Sequence, residues 1–137
     1  GNIVTEDGEV LGKHNGLFNY TIGQRKGLGI AYKHPLYVIG FNGERNEVIV
    51  GPNERLFTNR MICKFYNFLD DTIHKELKAE GKIRYAANPS PCTARILDDD
   101  TMEVIFEEPQ RAITPGQSVA FYNGTQLLGG AVIDRVC

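Results

Sequence analysis

The sequence predicts a mainly β protein: a small β-rich domain followed by a second domain built as a closed β-barrel. Three observations lead there. Apolar and polar residues alternate with a period of two in several short stretches, clearest from Leu77 to Tyr85. Turn-forming pairs, Asp7-Gly8, Asn42-Gly43 and Asn123-Gly124, fall between these stretches. The stretches are short and recur at regular spacing, as in small barrels, whose closure removes exposed sheet edges.

Taken in order, residues 3–4 and 9–11 flank Glu6-Asp7-Gly8-Glu9 as a first hairpin. Residues 36–41 (LYVIGF) and 47–50 (EVIV) flank a second turn over 42–46, and Gly51-Pro52-Asn53 stops the strand. A new set starts near Arg60, where Met61, Cys63 and Phe65 alternate with Ile62, Lys64 and Tyr66. Leu77, Ala79, Gly81, Ile83 and Tyr85 then share one face of a strand. A helix over 70–80 competes, because Ile73 and Leu77 are four apart, but Gly81 weighs against it. Residues 92–97 and 102–106 are joined by Asp98-Asp99-Asp100-Thr101, and 117–122 and 126–133 by Asn123-Gly124-Thr125. The boundary is placed between residues 56 and 60, giving domains 1–58 and 59–137. Halves this small are marginal alone and are expected to dock.

The 137 residues are 42% hydrophobic and 23% charged, which excludes a disordered chain. No apolar run approaches the roughly 20 residues of a membrane helix, so no membrane partner is expected. The start, GNIVTEDGEV, lacks the basic and apolar regions of a signal peptide. The formal net charge of −2 gives no general attraction to polyanions. Residues 1–57 carry six Lys/Arg and six Asp/Glu, and 58–137 carry nine and eleven. Nucleic-acid contact would therefore need a local patch, such as Arg25 and Lys26, or Lys78, Lys82 and Arg84. Three cysteines, Cys63, Cys92 and Cys137, form no CxxC pair and no zinc-ligand pattern. An odd count fits free thiols in a reducing compartment and a cytoplasmic location.

Residues 21–29, TIGQRKGLG, are the densest motif. They are not a Walker loop, since neither Gly27 nor Gly29 is followed by Lys-Ser or Lys-Thr. They are not a dinucleotide fingerprint, because position 32 is Tyr32 where a third glycine is needed. Two readings stay open. The glycines serve a tightly folded loop that needs positive φ, or the backbone N–H groups and the two cations meet phosphate. Asp98-Asp99-Asp100 reads as a solvated turn and not as a metal site. His14, His34 and His74 have no nucleophile at a telling spacing, and His14 reads as structural. No catalytic residue and no metal site emerges from the residues themselves.

Taken together, GKHNGL (12–17), YTIGQRKGLGI (20–30), LYVIG (36–40), KIRY (82–85), PC (91–92), EPQRAITPGQSVAFYNG (108–124) and LGGAVI (128–133) form an ordered series. The series closely resembles the C-terminal part of the tRNA-specific 2-thiouridylase family, over nearly the whole chain. Ala131 departs from it, where the family usually continues a glycine run; this touches packing only. The resemblance implies a central domain followed by a barrel similar to those of translation elongation factors. It implies that the family's N-terminal PP-loop domain, which uses ATP to adenylate the wobble uridine, lies outside these residues. No SGGxDS run is present, and no cofactor is expected within this part. Cys63, Cys92 and Cys137 do not match the family's two sulfur-handling cysteines.

The resemblance assigns tRNA contact to Arg84 and Tyr85 and to Gln117 of the PGQ motif. Arg can pair with phosphate, Tyr offers a flat face to an unstacked base, and Gln can bond a base edge or ribose. On one continuous strand Arg84 and Tyr85 would point to opposite faces, unless the strand ends there. Arg25 and Lys26 are candidates for contact with tRNA or with the catalytic domain. The implied partners are tRNA, that domain, and a sulfur-relay protein or cysteine desulfurase. Two rival readings are a protein-docking module and a thiol enzyme built on Cys63 or Cys92.

Overall fold

The alternation reports real strands. The computed structural model describes residues 1–69, 75–84 and 88–137. They divide into two compact units, Gly1–Phe57 and Thr58–Cys137.

In the first unit, β1 (Asn2–Thr5) and β2 (Val10–Lys13) form the expected hairpin, and β3 (Tyr37–Asn42) and β4 (Glu47–Gly51) form the next. The first turn closes through Gly8, whose φ is 88°, donating its N–H to the Thr5 carbonyl at 3.0 Å. The sheet order is β2-β1-β4-β3, with β1 running parallel to β4. A parallel neighbour requires a long connection, and the chain supplies it between β2 and β3. Ile3, Val38, Val48 and Val50 form the core, and Leu28 and Leu36 from that connection cover it.

The second unit is a closed six-stranded barrel, β10-β5-β8-β7-β6-β9. Its strands are β5 (Phe57–Phe68), β6 (Glu76–Lys82), β7 (Ser90–Ile96), β8 (Thr101–Arg111), β9 (Ser118–Asn123) and β10 (Gln126–Val136). Met61, Met102, Phe106, Phe121 and Ile133 fill the interior. Leu77, Ala79, Gly81 and Ile83 face it with the expected period of two. Residues 76–82 are strand, so the helical alternative fails there; its remaining part, 70–74 with His74, lies outside the described residues.

One alternation does not survive. Period-two alternation groups Phe65 with Met61 and Cys63, yet it is 65% exposed, while Tyr66 packs against the core. Phe65 has φ of +54°, so the strand bulges there and the faces exchange. The bulged N–H is not lost, because it donates to the Asp100 carbonyl at 3.0 Å. Asp98 makes the 98–101 turn as expected. Its Oδ1 accepts the Asp100 and Thr101 N–H groups, both at 2.9 Å, and this holds its carboxyl below the usual range.

Close approach, of backbone at two positions and of a side chain at the third, explains three glycines of the barrel. A Cβ on Gly129 would sit 2.2 Å from the Asn67 carbonyl oxygen, one on Gly130 3.0 Å from that of Val119, and one on Gly81 3.0 Å from the Phe106 ring. The methyl of Ala131 is accommodated in the core beside them. Gly129→Val is therefore expected to lower unfolding stability by about 2–3 kcal/mol or more in urea denaturation, through overpacking at a backbone that cannot yield. Gly43→Ala has open space and is expected to stay within about 0.5 kcal/mol of wild type.

Candidate nucleic-acid interface

The barrel carries the first group of candidate residues at one end. Strand β6 ends at Lys82, two residues before Arg84. The cause lies on the facing strand: Gly81 opposite Ser90 is the last pair with β7, and the preceding Pro89 has no N–H to continue the ladder. Arg84 lies beyond the last paired residue and is exposed, on the side opposite buried Ile83, as alternation expects. Its guanidinium donates to the carbonyl of Arg111, the last residue of β8. Tyr85 lies outside the described residues.

Gln117 sits at the same end. The β6–β9 register places Lys82 opposite Ala120, so the chain leaving β6 runs toward the start of β9 at Ser118. Thr114, Pro115, Gly116 and Gln117 make a tight turn, with Gln117 N–H donating to the Thr114 carbonyl at 3.2 Å. Gly116 has φ of 90°, and Pro before a positive-φ Gly is the signature of a type II turn. The Gln117 carbonyl accepts from Ile133 N–H at 2.8 Å, so β10 fixes the backbone and leaves the side chain in solvent. Arg111 has no place in the sequence-based expectation, yet its carbonyl orients Arg84. No residue pattern signals that role, because it belongs to a main-chain atom.

The second group lies in the first unit. The motif at 21–29 is a folded loop whose clamp is Gln24. Its Oε1 accepts the Thr21 N–H at 3.0 Å, its Nε2 donates to the Lys26 carbonyl at 2.9 Å, and its own carbonyl accepts Val38 N–H at 2.9 Å. Gly23, Gly27 and Gly29 have φ of 92°, 78° and 67°, so the tight-loop reading of the glycines holds. Leu28 is buried, which pins the loop to the core. Arg25 and Lys26 remain at its exposed tip, and among the described residues neither is in an ion pair with a carboxylate. Arg25 and residues 27–36 line an open groove of about 590 Å³.

His14, Glu103 and the two core thiols have structural roles. His14 Nε2 bonds the Asn46 carbonyl at 2.8 Å and its Nδ1 accepts the Gly16 N–H at 3.0 Å, so both ring nitrogens are occupied. Glu103 is buried on the outer wall of the barrel between Arg60 (Nε at 2.7 Å) and Arg95 (Nη2 at 3.1 Å). That hydrogen bond and the carboxylate charge hold Arg60 above its usual pKa. Cys63 and Cys92 are buried in the barrel core, and Cys137 is exposed. Burial, with smaller contributions from nearby carboxylates, pushes both core thiols up to about 12. Thiols held protonated in an apolar core are poor nucleophiles, which removes the footing of the thiol-enzyme reading.

Comparison with known proteins follows the same division. Residues 58–133 match the family model described as "Aminomethyltransferase beta-barrel domain", and residues 1–52 that described as "tRNA methyl transferase PRC-barrel domain". The chain thus joins a four-stranded β-sheet unit of the PRC-barrel class to a closed β-barrel of the aminomethyltransferase class. It is 46% identical over 136 residues to the tRNA-specific 2-thiouridylase MnmA of Clostridioides difficile (strain 630), covering 98% of this chain and 38% of that protein. It is 47% identical over 137 residues to the protein of the same name from Clostridium botulinum (strain Alaska E43 / Type E3), covering 99% and 38%. For that of Geobacter metallireducens the figures are 46% over 134 residues, covering 98% and 36%. The chain belongs to the tRNA-specific 2-thiouridylase family, and it spans less than two-fifths of the length of these relatives. Among the described residues, no helix is long and apolar enough to cross a membrane.

Two outcomes are expected for the thiols. Iodoacetamide at pH 8 should label Cys137 at the rate of a free thiol and leave Cys63 and Cys92 unlabelled until unfolding, as read by mass spectrometry. Because the folded state holds these two protons more tightly than the unfolded chain, their contribution to stability is complete below about pH 9. It is lost as the pH rises toward 12. Cys63→Ser should flatten that alkaline loss in denaturation midpoints measured from pH 8 to 11.

Proposed function

We propose that this chain is the tRNA-binding portion of a tRNA-uridine 2-sulfurtransferase, an enzyme that makes 2-thiouridine at the wobble position. In this reading the catalytic work belongs to a PP-loop domain outside these residues, which uses ATP to activate the uridine and receives sulfur as a protein-bound persulfide. A sulfur-relay protein or cysteine desulfurase supplies that sulfur, in the cytoplasm. These residues then hold the anticodon arm and have no thiolation activity alone.

The observation that carries the reading is the placement of Arg84 and Gln117 at the same end of the barrel, the Arg84 guanidinium bonded to the Arg111 carbonyl and the Gln117 backbone tied to β10. A guanidinium and a carboxamide presented there can grip a phosphate and an adjacent ribose or base edge. Tyr85 follows Arg84 directly and adds a stacking surface. Support also comes from the names of the relatives, which match the chain almost end to end.

A second reading, a module that docks the catalytic domain or a sulfur-relay partner, has one observation in its favour. Phe65, Leu69 and Leu127 are exposed, at 65%, 71% and 46%, around an open groove on the barrel wall. Arg84→Glu separates the two. RNA binding predicts that this variant weakens the affinity for unmodified tRNA by about tenfold or more and lowers the slope of log K against log salt by about one. Unchanged affinity, together with loss of binding to the separate catalytic domain in Phe65→Ser, would transfer the assignment to docking.

A further inference from the structure

The groove beside the 21–29 loop has a composition that its structural role does not require. Its wall from residue 31 to 36 carries Tyr32, Lys33 and His34, all exposed, and the loop contributes Arg25. Tyr32 and His34 meet edge to face at 4.9 Å and 83°, which fixes the orientation of the tyrosine ring. Lys33 Nζ lies 5.9 Å from the centre of that ring, the outer limit of a cation–π contact. Among the described residues, Arg25 and Lys33 are in no ion pair with a carboxylate.

The Tyr32 and His34 pair is also a dividing wall. A second groove on the same two residues is lined by Glu6, Asp7 and Glu9, with Glu6 bound to Arg55 at 3.1 Å. One side of the aromatic pair is thus cationic and the other acidic. A polyanion is attracted to the first side and repelled by the second, so its path across the unit is directed and not merely tolerated. Two cations beside a flat, oriented ring, in about 590 Å³, fit the three parts of a nucleotide. An acidic polypeptide would meet the same charges but has no flat group for the ring.

We propose that the groove bounded by the 21–29 loop and residues 31–36 binds one unpaired nucleotide of an RNA, with the phosphate between Arg25 and Lys33 and the base stacked on Tyr32. The proposal rests on the RNA-binding reading above and adds to it a second contact, in the first unit. The loop suits the task because Gln24 and Leu28 make it stiff, so Arg25 is held in place before the ligand arrives. Binding then displaces Lys33 from the ring toward the phosphate, leaving the ring face to the base.

The test is an NMR titration of the whole isotope-labelled chain with an anticodon stem-loop RNA carrying a wobble uridine, repeated with hexaglutamate. The expected result is shifts of amides in residues 25–36 with RNA, and weaker ones with hexaglutamate. Tyr32→Ala should weaken RNA binding about tenfold and Tyr32→Phe by less than about twofold, because the ring and not the hydroxyl does the stacking. Lys33→Gln should lower the salt slope by about one. RNA-induced shifts confined to the surroundings of Arg84 and Gln117 would overturn the groove and leave the RNA-binding reading intact. No shift anywhere would overturn both. Equal or larger groove shifts with hexaglutamate would overturn the nucleotide and assign the groove to an acidic polypeptide.

Discussion

Closure is the constraint on which the barrel depends. Strand β10 must pair with β9 on one side and β5 on the other, and only then does the six-stranded sheet have no free edge. That double pairing brings three backbones together at Gly129 and Gly130, where a side chain has no room. The same closure anchors the proposed RNA contacts. Ile133 N–H of β10 donates to the Gln117 carbonyl, and Gly116 N–H donates to the Ile133 carbonyl at 2.7 Å, so the Pro-Gly turn is tied to the strand that seals the barrel. A functional side chain carried on such a turn loses little freedom on binding.

The first unit solves a different problem by similar means. Its parallel pair, β1 with β4, demands a long connection, and a long connection in a small unit is a liability unless it packs. Leu28 and Leu36 pack it, Gln24 closes it with hydrogen bonds from both the oxygen and the nitrogen of its side-chain amide, and positive-φ glycines allow the bends. The motif that first invites a phosphate-loop reading is therefore, before anything else, a way of folding a connection. Its chemistry lies in what projects from it, and the aromatic wall at 32–34 supplies the other half of the groove.

The barrel wall shows how polar groups are settled outside the core. Glu103 sits between Met102 and Val104, both fully buried, and points away from them. There it lies across from Arg95 in the β7–β8 register and is reached by Arg60 from β5. The carboxylate is shielded by two long side chains yet fully bonded, so its burial costs little. Much of the pairing is solvent-screened at the two arginines, so its value is register more than stability.

The strand-rich class and most turns were legible in the sequence, because period-two alternation and Asp-Gly or Asn-Gly pairs are local properties of neighbouring residues. Gly8 and the Asp98 turn behave as their chemistry dictates, and the motif series alone pointed to the family. Other features were not local. Phe65 leaves the core because a bulge at that residue answers to Asp100, thirty-five residues on. Arg84 follows the paired part of β6 because Pro89 ends the ladder from the opposite strand. Arg84, Arg111 and Gln117 share one end of the barrel only because the closed register brings β6, β8 and β9 there, and Tyr32 stands between opposite charges only once β1, β4 and the connection are folded together. Sequence determines the residue types and the local backbone preferences. Which of them share a surface is decided by long-range pairing, whose register is set by the whole sheet and not by any one segment.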